Sequence, residues 1–307
     1  MKYFVGIDGG GTGTSITLGN HQREIIGSID VGPTNYHSVG LDKTEQALSN
    51  MFISLASQYE VEIQDIEAIC FCGAGIDCKE DEIIVRELFR AIGYQNDLLI
   101  YNDSVGALVG ANKGKHGAIL ISGTGSIALG ISEQGEVFRV GGWGHLVDDL
   151  GSAYAISRDA LKKILEAYDG REKKTSLWDG VKEKLGIKRE DELVSFIYNP
   201  STKKQDIAAL APFVIEAYEK DEIAKKIIDK AVGDLEHMIV TLAKRMNDFQ
   251  LDIRVSGSVL NKNKCLRQLL IDRITNRYPS INIDLPLSDA ATGALILAWD
   301  IKKIEED

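Results

Sequence analysis

A glycine- and hydroxyl-rich turn occurs twice in this 307-residue chain, each time directly after an apolar run of strand character. The first copy reads Val5-Gly6-Ile7-Asp8-Gly9-Gly10-Gly11-Thr12-Gly13-Thr14, and the second Ala118-Ile119-Leu120-Ile121-Ser122-Gly123-Thr124-Gly125-Ser126. Glycine lets successive backbone N–H groups converge, and Ser or Thr adds hydroxyl donors, so such a turn can cradle phosphate oxygens. A single copy is also what a tight hairpin uses. Two copies at separate points of one chain suggest a nucleotide held between two lobes.

The element order around the turns repeats as well. Residues 2–9, 13–19 and 24–30 read as strands, followed by the loop Gly32-Pro33-Thr34-Asn35. A helix over 42–59 carries Ala47, Leu48, Met51 and Leu55 at helical spacing. A strand at 66–72, a helix at 80–92, a strand at 98–101 and a helix from Ser104 complete the order βββαβα. It recurs more loosely, with strands at 117–122, 126–131, 136–140 and 252–256, and helices at 149–168, 262–276 and 288–300. Architecture duplicated without duplicated sequence predicts an α/β chain of two like domains. Their expected bounds are 1–115 with 288–307, and 116–287. The stretch 171–248 is helical with Lys/Glu-rich runs, and reads as an insertion in the second domain whose charges are solvated faces.

Composition narrows the partners. A net charge of −11 argues against nucleic acid, which requires a basic footprint. No run approaches the ~18 apolar residues of a membrane span, and the stretch before Asp8 is too short for a secretion signal, so a cytoplasmic protein is expected. Cys70, Cys72 and Cys78 invite a metal reading. Yet Ile66–Cys72 reads as a buried strand on which Cys70 and Cys72 share one face as small hydrophobes, a poor tetrahedral set.

Two segments carry candidate chemistry. Asp103 follows the strand Leu98–Tyr101 and opens a helix, at the strand end where α/β sites lie. It reads either as a helix cap or as a general base for an attacking hydroxyl. Gly106, Ala107, Gly110 and Ala111 give this helix a small face, matched by Ala290, Ala291, Gly293 and Ala294, suited to close packing or to a hinge. The glycine loop Gly141-Gly142-Trp143-Gly144-His145-Leu146-Val147-Asp148-Asp149-Leu150-Gly151-Ser152 holds an aromatic, a histidine and two carboxylates. It reads either as a loop with Trp143 as packing anchor and Asp149 as cap, or as a sugar site with paired acceptors.

Gly6 to Thr12, Ser122 to Ser126 and Gly141 to His145 together resemble the N-acetylglucosamine kinase branch of the BadF-type ATPase family, in the actin-like sugar-kinase superfold. The resemblance spans residue 4 to about 299 and is weakest over 171–248. It implies two actin-like, ribonuclease H-like domains around a central nucleotide and sugar cleft, with ATP and Mg²⁺ as cofactors. Gly10, Gly11, Thr12, Gly13 and Thr14 would form a first phosphate loop, with Asp8 near the magnesium and its waters. Gly123, Thr124, Gly125 and Ser126 would form the second, and Gly257 with Ser258 the adenosine turn. Asp103 matches the carboxylate set against the sugar 6-hydroxyl, and Asn35 and Asp149 match sugar-binding residues, with Trp143, Gly144 and His145 nearby in sequence. The chain departs from the family pattern at Gly13, often basic, and at Asp148-Asp149-Leu150-Gly151-Ser152, usually Gly-Asp-Glu-Gly-Ser.

The expected activity is phosphorylation of an amino sugar at its 6-hydroxyl, most simply N-acetylglucosamine, with N-acetylmuramic acid or glucosamine as other acceptors, by a homodimer. The rival is an ATPase that activates a partner redox enzyme through an iron–sulfur cluster shared by two subunits. Here no cysteine falls in the central region such a cluster would occupy. A sugar-binding regulator would need no phosphate cradle. The 70–78 run does not reproduce the zinc motif of ROK-type sugar kinases.

Overall fold

The computed structural model describes residues 2–114 and 116–301. Residues 1, 115 and 302–307, within the expected domain bounds, lie outside the described residues. The chain divides into two compact units, Met1–His116 with Pro286–Asp307, and Gly117–Leu285.

The first unit runs β1 (Tyr3–Gly9), β2 (Thr14–Asn20), β3 (Ile25–Val31), α1 (Tyr36–Val39), α2 (Leu41–Tyr59), β4 (Ile66–Gly73), α3 (Lys79–Ala91), β5 (Asp97–Asn102) and α4 (Asp103–Asn112). Its sheet has the order β3-β2-β1-β4-β5, with β1, β4 and β5 parallel. Gly9, Gly73 and Asn102 are aligned across the carboxyl ends of the parallel strands. The second unit runs β6 (Gly117–Ser122), β7 (Ser126–Ile131), β8 (Val137–Gly141), α5 (Ala153–Tyr168), α6 (Leu177–Leu185), α7 (Glu192–Ile197), α8 (Lys204–Ala208), α9 (Ala211–Glu216), α10 (Glu222–Met246), β9 (Asp252–Ser256), α11 (Ser258–Lys262), α12 (Lys264–Arg277) and β10 (Asn282–Asp284). Its sheet order, β10-β9-β6-β7-β8, is that of the first unit strand for strand. The last helix, α13 (Ala290–Trp299), belongs to the first unit.

Side-chain alternation along β4 shows how the first sheet is filled. Ile69 and Phe71 join Val5, Ile7, Met51, Leu55 and Phe89 in one core, under α2 and α3. Cys70 and Cys72 point the other way, into a small core with Ala294 and Ala298 of α13. The two sulfurs stand 3.8 Å apart as buried free thiols, which agrees with their reading as small hydrophobes.

The small faces of α4 and α13 meet closely. An ideal Cβ on Gly293 would lie 2.0 Å from the Gly106 carbonyl oxygen and 2.4 Å from the Gly110 nitrogen. Both helices belong to the same unit, so the contact is part of that unit's own packing. A side chain here must push two backbones apart. Gly293→Ala is expected to cost about 3 kcal/mol through overpacking, a fall of roughly 10 °C in Tm for a unit of this size. Thermal melts of the purified variant test it, and an unchanged Tm would contradict the close approach.

Residues 171–248 do more than cover the second unit. Leu177, Val181, Leu193, Val214 and Leu235 are buried in the same core as Leu120, Ala128, Ile253 and Val255. The 25-residue α10 packs on β7 and β8 and against α5 and α12. Asp221 caps it by accepting from the N–H groups of Ile223 and Ala224.

Several boundaries differ from the sequence expectation. The expected helix at 262–276 is α12, two residues later at its start, and the five-residue α11 ahead of it was not foreseen. The short strand β10 and the single-turn α1 were not foreseen, being only three and four residues long.

Candidate functional site

In the first unit the candidates collect at the carboxyl ends of β1, β4 and β5. The Gly9–Thr14 turn closes on itself through Gly10 N–H to the Gly13 carbonyl, at 3.0 Å. The Gly10 carbonyl accepts from the N–H groups of Thr34 and Asn35, which fixes Asn35 to the turn. Gly11 and Thr12 form an exposed tip. Thr14 is different: it is buried, and its hydroxyl shares a 2.8 Å hydrogen bond with Thr34. Asn35 lies at the start of α1, where its Oδ1 accepts from His37 N–H at 3.1 Å.

Asp103 is the first residue of α4. The cap is not Asp103 but Asn102, whose Oδ1 accepts from Ser104 N–H, so the cap reading of Asp103 is corrected. Asn102 has the side-chain geometry for capping and leaves the Asp103 carboxylate to other partners.

Electrostatics join three carboxylates. The Asp8 carboxyl is pushed from 3.8 up to about 6, first by burial, then by the negative charges of Asp103 and Asp289. Asp289 was not among the sequence candidates. It caps α13 by accepting from Thr292 N–H at 2.8 Å, and only a Ser-Asp pair ahead of an alanine-rich run signals it.

In the second unit three turns pack together. The Ser122–Ser126 turn is closed by Gly123 N–H to the Gly125 carbonyl. The Ser122 and Ser126 hydroxyls donate to the carbonyls of Gly151 and Leu150, at 2.9 and 2.7 Å. Gly257, at φ +91°, comes so close that a Cβ there would stand 2.3 Å from the Ser122 carbonyl oxygen. Glycine is required on both counts.

Asp149 is buried and has φ 56°, unusual for a residue with a side chain. Its Oδ2 would lie 2.8 Å from a Cβ at Gly125, so the carboxylate is pressed against the second glycine turn. It neither caps nor begins a helix: α5 starts at Ala153, capped by Ser152, whose Oγ accepts from Ala155 N–H. The hydroxyl of Ser152 suits the cap, while the αL backbone at Asp149 belongs to the turn before it.

Trp143 is not a packing anchor. It is 68% exposed, with Arg139 over its ring at 4.3 Å, because no core faces this part of the loop. His145 packs edge-on against Tyr154, with ring centroids 4.8 Å apart. Gly144 accepts at its carbonyl from the Asp148 N–H.

A pocket of about 380 Å³ opens beside these turns, within the second unit. Thr124, Ala153, Ser258, Val259 and Lys262 line one side, and the helical stretch from Gln205 to Ile215 walls the other. That wall belongs to the helical segment 171–248, and periodicity alone did not show it.

Among the described residues no group of three or more His, Cys, Asp or Glu side chains could hold a metal ion. Cys70 and Cys72 are sealed in the first unit, Cys78 donates to Asp81, and Cys265 lies exposed on α12 of the second unit. No helix among the described residues is long and apolar enough to cross a membrane.

Comparison with known proteins decides the family. The sequence profile of the BadF/BadG/BcrA/BcrD ATPase family matches residues 5–298. The chain belongs to this ATPase family. It is 31% identical to an N-acetylmuramic acid/N-acetylglucosamine kinase of Clostridium acetobutylicum over 97% of this chain and 98% of that protein. It is 32% identical to an N-acetyl-D-glucosamine kinase of Dictyostelium discoideum over 98% and 99%. A crystal structure from Chromobacterium violaceum, of a candidate N-acetylglucosamine kinase, superposes with a TM-score of 0.80 at 25% identity, covering 97% of this chain and 99% of that one. A ROK hexokinase from Thermus thermophilus shares the fold, with a TM-score of 0.64 at 15% identity over 99% and 100%. The fold is the two-unit α/β fold of actin-like sugar kinases, as the sequence led one to expect.

Proposed function

We propose that this ATPase-family chain is a kinase that transfers the γ-phosphoryl group of ATP to the 6-hydroxyl of an amino sugar, with N-acetylglucosamine the leading acceptor. The carboxylate trio of Asp8, Asp103 and Asp289 carries the reading, since burial and like charge hold Asp8 up at about 6. A cation beside Asp8 would relieve that burial and like-charge penalty. Full-length relatives named as kinases of N-acetylglucosamine and N-acetylmuramic acid support the choice of acceptor.

Each residue then takes a role. Asp103, at the start of α4, is the general base that accepts the hydroxyl proton as the phosphoryl group transfers. Asn35 holds a sugar hydroxyl, and Asp149, Trp143, Gly144 and His145 contribute the remaining acceptor contacts. The Gly10–Thr14 turn, with its exposed tip at Gly11 and Thr12, and the Gly123–Ser126 turn hold phosphate oxygens through the backbone N–H groups that do not close the turns. The 380 Å³ pocket takes the adenosine, against Ser258 of the turn that begins at Gly257.

Magnesium fits the first unit in the way it usually meets protein, through one or two carboxylates with water and phosphate as its other ligands rather than a closed cage. Asp8 is its proposed holder. When bound, Mg²⁺ neutralises charge on the phosphates.

ADP release, measured by a coupled assay across a panel of amino sugars with and without Mg²⁺, tests the function. Turnover is expected with an N-acetylated hexosamine and to vanish without Mg²⁺. ADP release that no sugar of the panel accelerates would overturn the proposal.

A further inference from the structure

We propose that Asp81 is a positioning residue that locks the acceptor loop at Asn35 to the β4–α3 loop, which in turn holds Asn102, the residue before Asp103; the inference rests on the kinase reading above. Asp81 lies in the first turn of α3 and is 6% exposed. Its carboxylate gathers donors from two loops distant in sequence. From the acceptor loop come the Tyr36 hydroxyl and the His37 ring, whose Nε2 lies 3.1 Å from Oδ1. From the β4–α3 loop come the N–H groups of Asp77 and Cys78, at 2.9 and 3.0 Å, and the Cys78 thiol at 3.1 Å. Capping α3 would need only the local N–H groups. The two aromatic donors come from 44 and 45 residues away and exceed what a cap requires.

The Tyr36 hydroxyl leads the interactions that hold the Asp81 carboxyl well below its ordinary range, so Asp81 stays charged and its hydrogen bonds are of the stronger, charge-assisted kind. Tyr36 and His37 directly follow Asn35, whose Oδ1 accepts from His37 N–H. The two loops also touch directly. A Cβ at Gly75 would lie 2.9 Å from His37 Cδ2 and 3.1 Å from Asn35 Oδ1.

On the other side, Asp77 presents its Oδ1 to Asn102 Nδ2 at 3.1 Å, and the Ile76 carbonyl accepts from the same amide at 3.2 Å. Asn102 caps α4 immediately before Asp103. One carboxylate therefore sets the backbone carrying Asn35 and, through Asp77 and Asn102, the residue preceding Asp103. Asp81 itself need touch neither sugar nor phosphate.

Steady-state kinetics of Asp81→Asn and Tyr36→Phe, in the full chain with the best sugar of the panel, test this. KM for the sugar is expected to rise about 10- to 100-fold in Asp81→Asn, as loss of positioning does, and about 3- to 10-fold in Tyr36→Phe, which removes one hydrogen bond. KM for ATP should stay within about twofold of wild type in both, since uniform binding of the nucleotide is untouched. A merely structural role would lower Tm and the active fraction while leaving sugar KM unchanged, and that outcome overturns the proposal. Tyr36→Phe decides the matter by the same criterion should Asp81→Asn not fold. Wild-type protein that phosphorylates no amino sugar would instead remove the kinase reading, a result visible without either variant.

Discussion

Asp103→Asn is expected to lower phosphoryl transfer by about 10²- to 10⁴-fold, the usual contribution of a general base, with ATP affinity essentially unchanged. The side chain keeps its volume and place at the first position of α4, with Asn102 still capping the helix. Loss of a negative charge from the first turn costs only about 0.3–1 kcal/mol of helix–dipole stabilisation, too little to unfold the unit. One further change should accompany the loss of rate. Asp103 is among the charges that hold the Asp8 carboxyl up, so in the variant Asp8 should titrate lower. Rates measured at saturating ATP and sugar, beside nucleotide titration by calorimetry, provide the check. Turnover within about threefold of wild type would take the base role from Asp103.

Asp8→Asn should move activity and stability in opposite directions. The Asp8 carboxyl titrates at about 6 in the folded chain against an ordinary 3.8. A group whose folded pKa is raised favours folding when protonated, so its contribution is fully present below about 4 and lost as pH rises through about 6. At pH 7.5 the ionised carboxylate therefore strains the native state by about 2–3 kcal/mol, since each pKa unit is worth about 1.36 kcal/mol. Asp8→Asn removes that strain. Without nucleotide or Mg²⁺, Tm is expected to rise by several degrees at pH 7.5, with the advantage shrinking toward pH 4. Phosphorylation is expected to fall to background, because the proposed cation site loses its charge. A lower Tm at pH 7.5 would contradict the buried, repelled carboxylate.

The same carboxyl gives the wild-type enzyme a pH signature. With Mg²⁺ held at Asp8 as proposed, protons would compete with it, so at subsaturating Mg²⁺ the rate should drop as pH falls through about 6. Raising Mg²⁺ tenfold should shift that limb downward by as much as about one pH unit.

Much of this was legible in the residues because the physics was local. Alternation put Cys70 and Cys72 on one face of β4, and the structure buries them there, opposite Ile69 and Phe71. The small faces of α4 and α13 announced their close contact. Both glycine turns lie after central strands, in sheets of matching order. Illegible features depended on distance in sequence or on competition between neighbours. Asn102 displaced Asp103 as cap, and Ser152 displaced Asp149, although all four residues are of types that can cap a helix. Strand β10 is held by pairing with β9, which three residues of pattern cannot reveal. Asp289 reads as an ordinary helix cap and Asp81 as an ordinary first-turn acid. Only the fold brings Asp289 to Asp8, and Tyr36 to Asp81. Trp143 had the residue type of an anchor but no facing core to fill.

The most direct test is the chemical identity of the product. Purified protein should be incubated with ATP, Mg²⁺ and N-acetylglucosamine, and the sugar examined by proton–phosphorus correlation NMR. The account predicts one phosphate per ADP released, coupled to the two C6 protons. ADP formed without a phosphorylated sugar, or phosphate attached at C1, would contradict it.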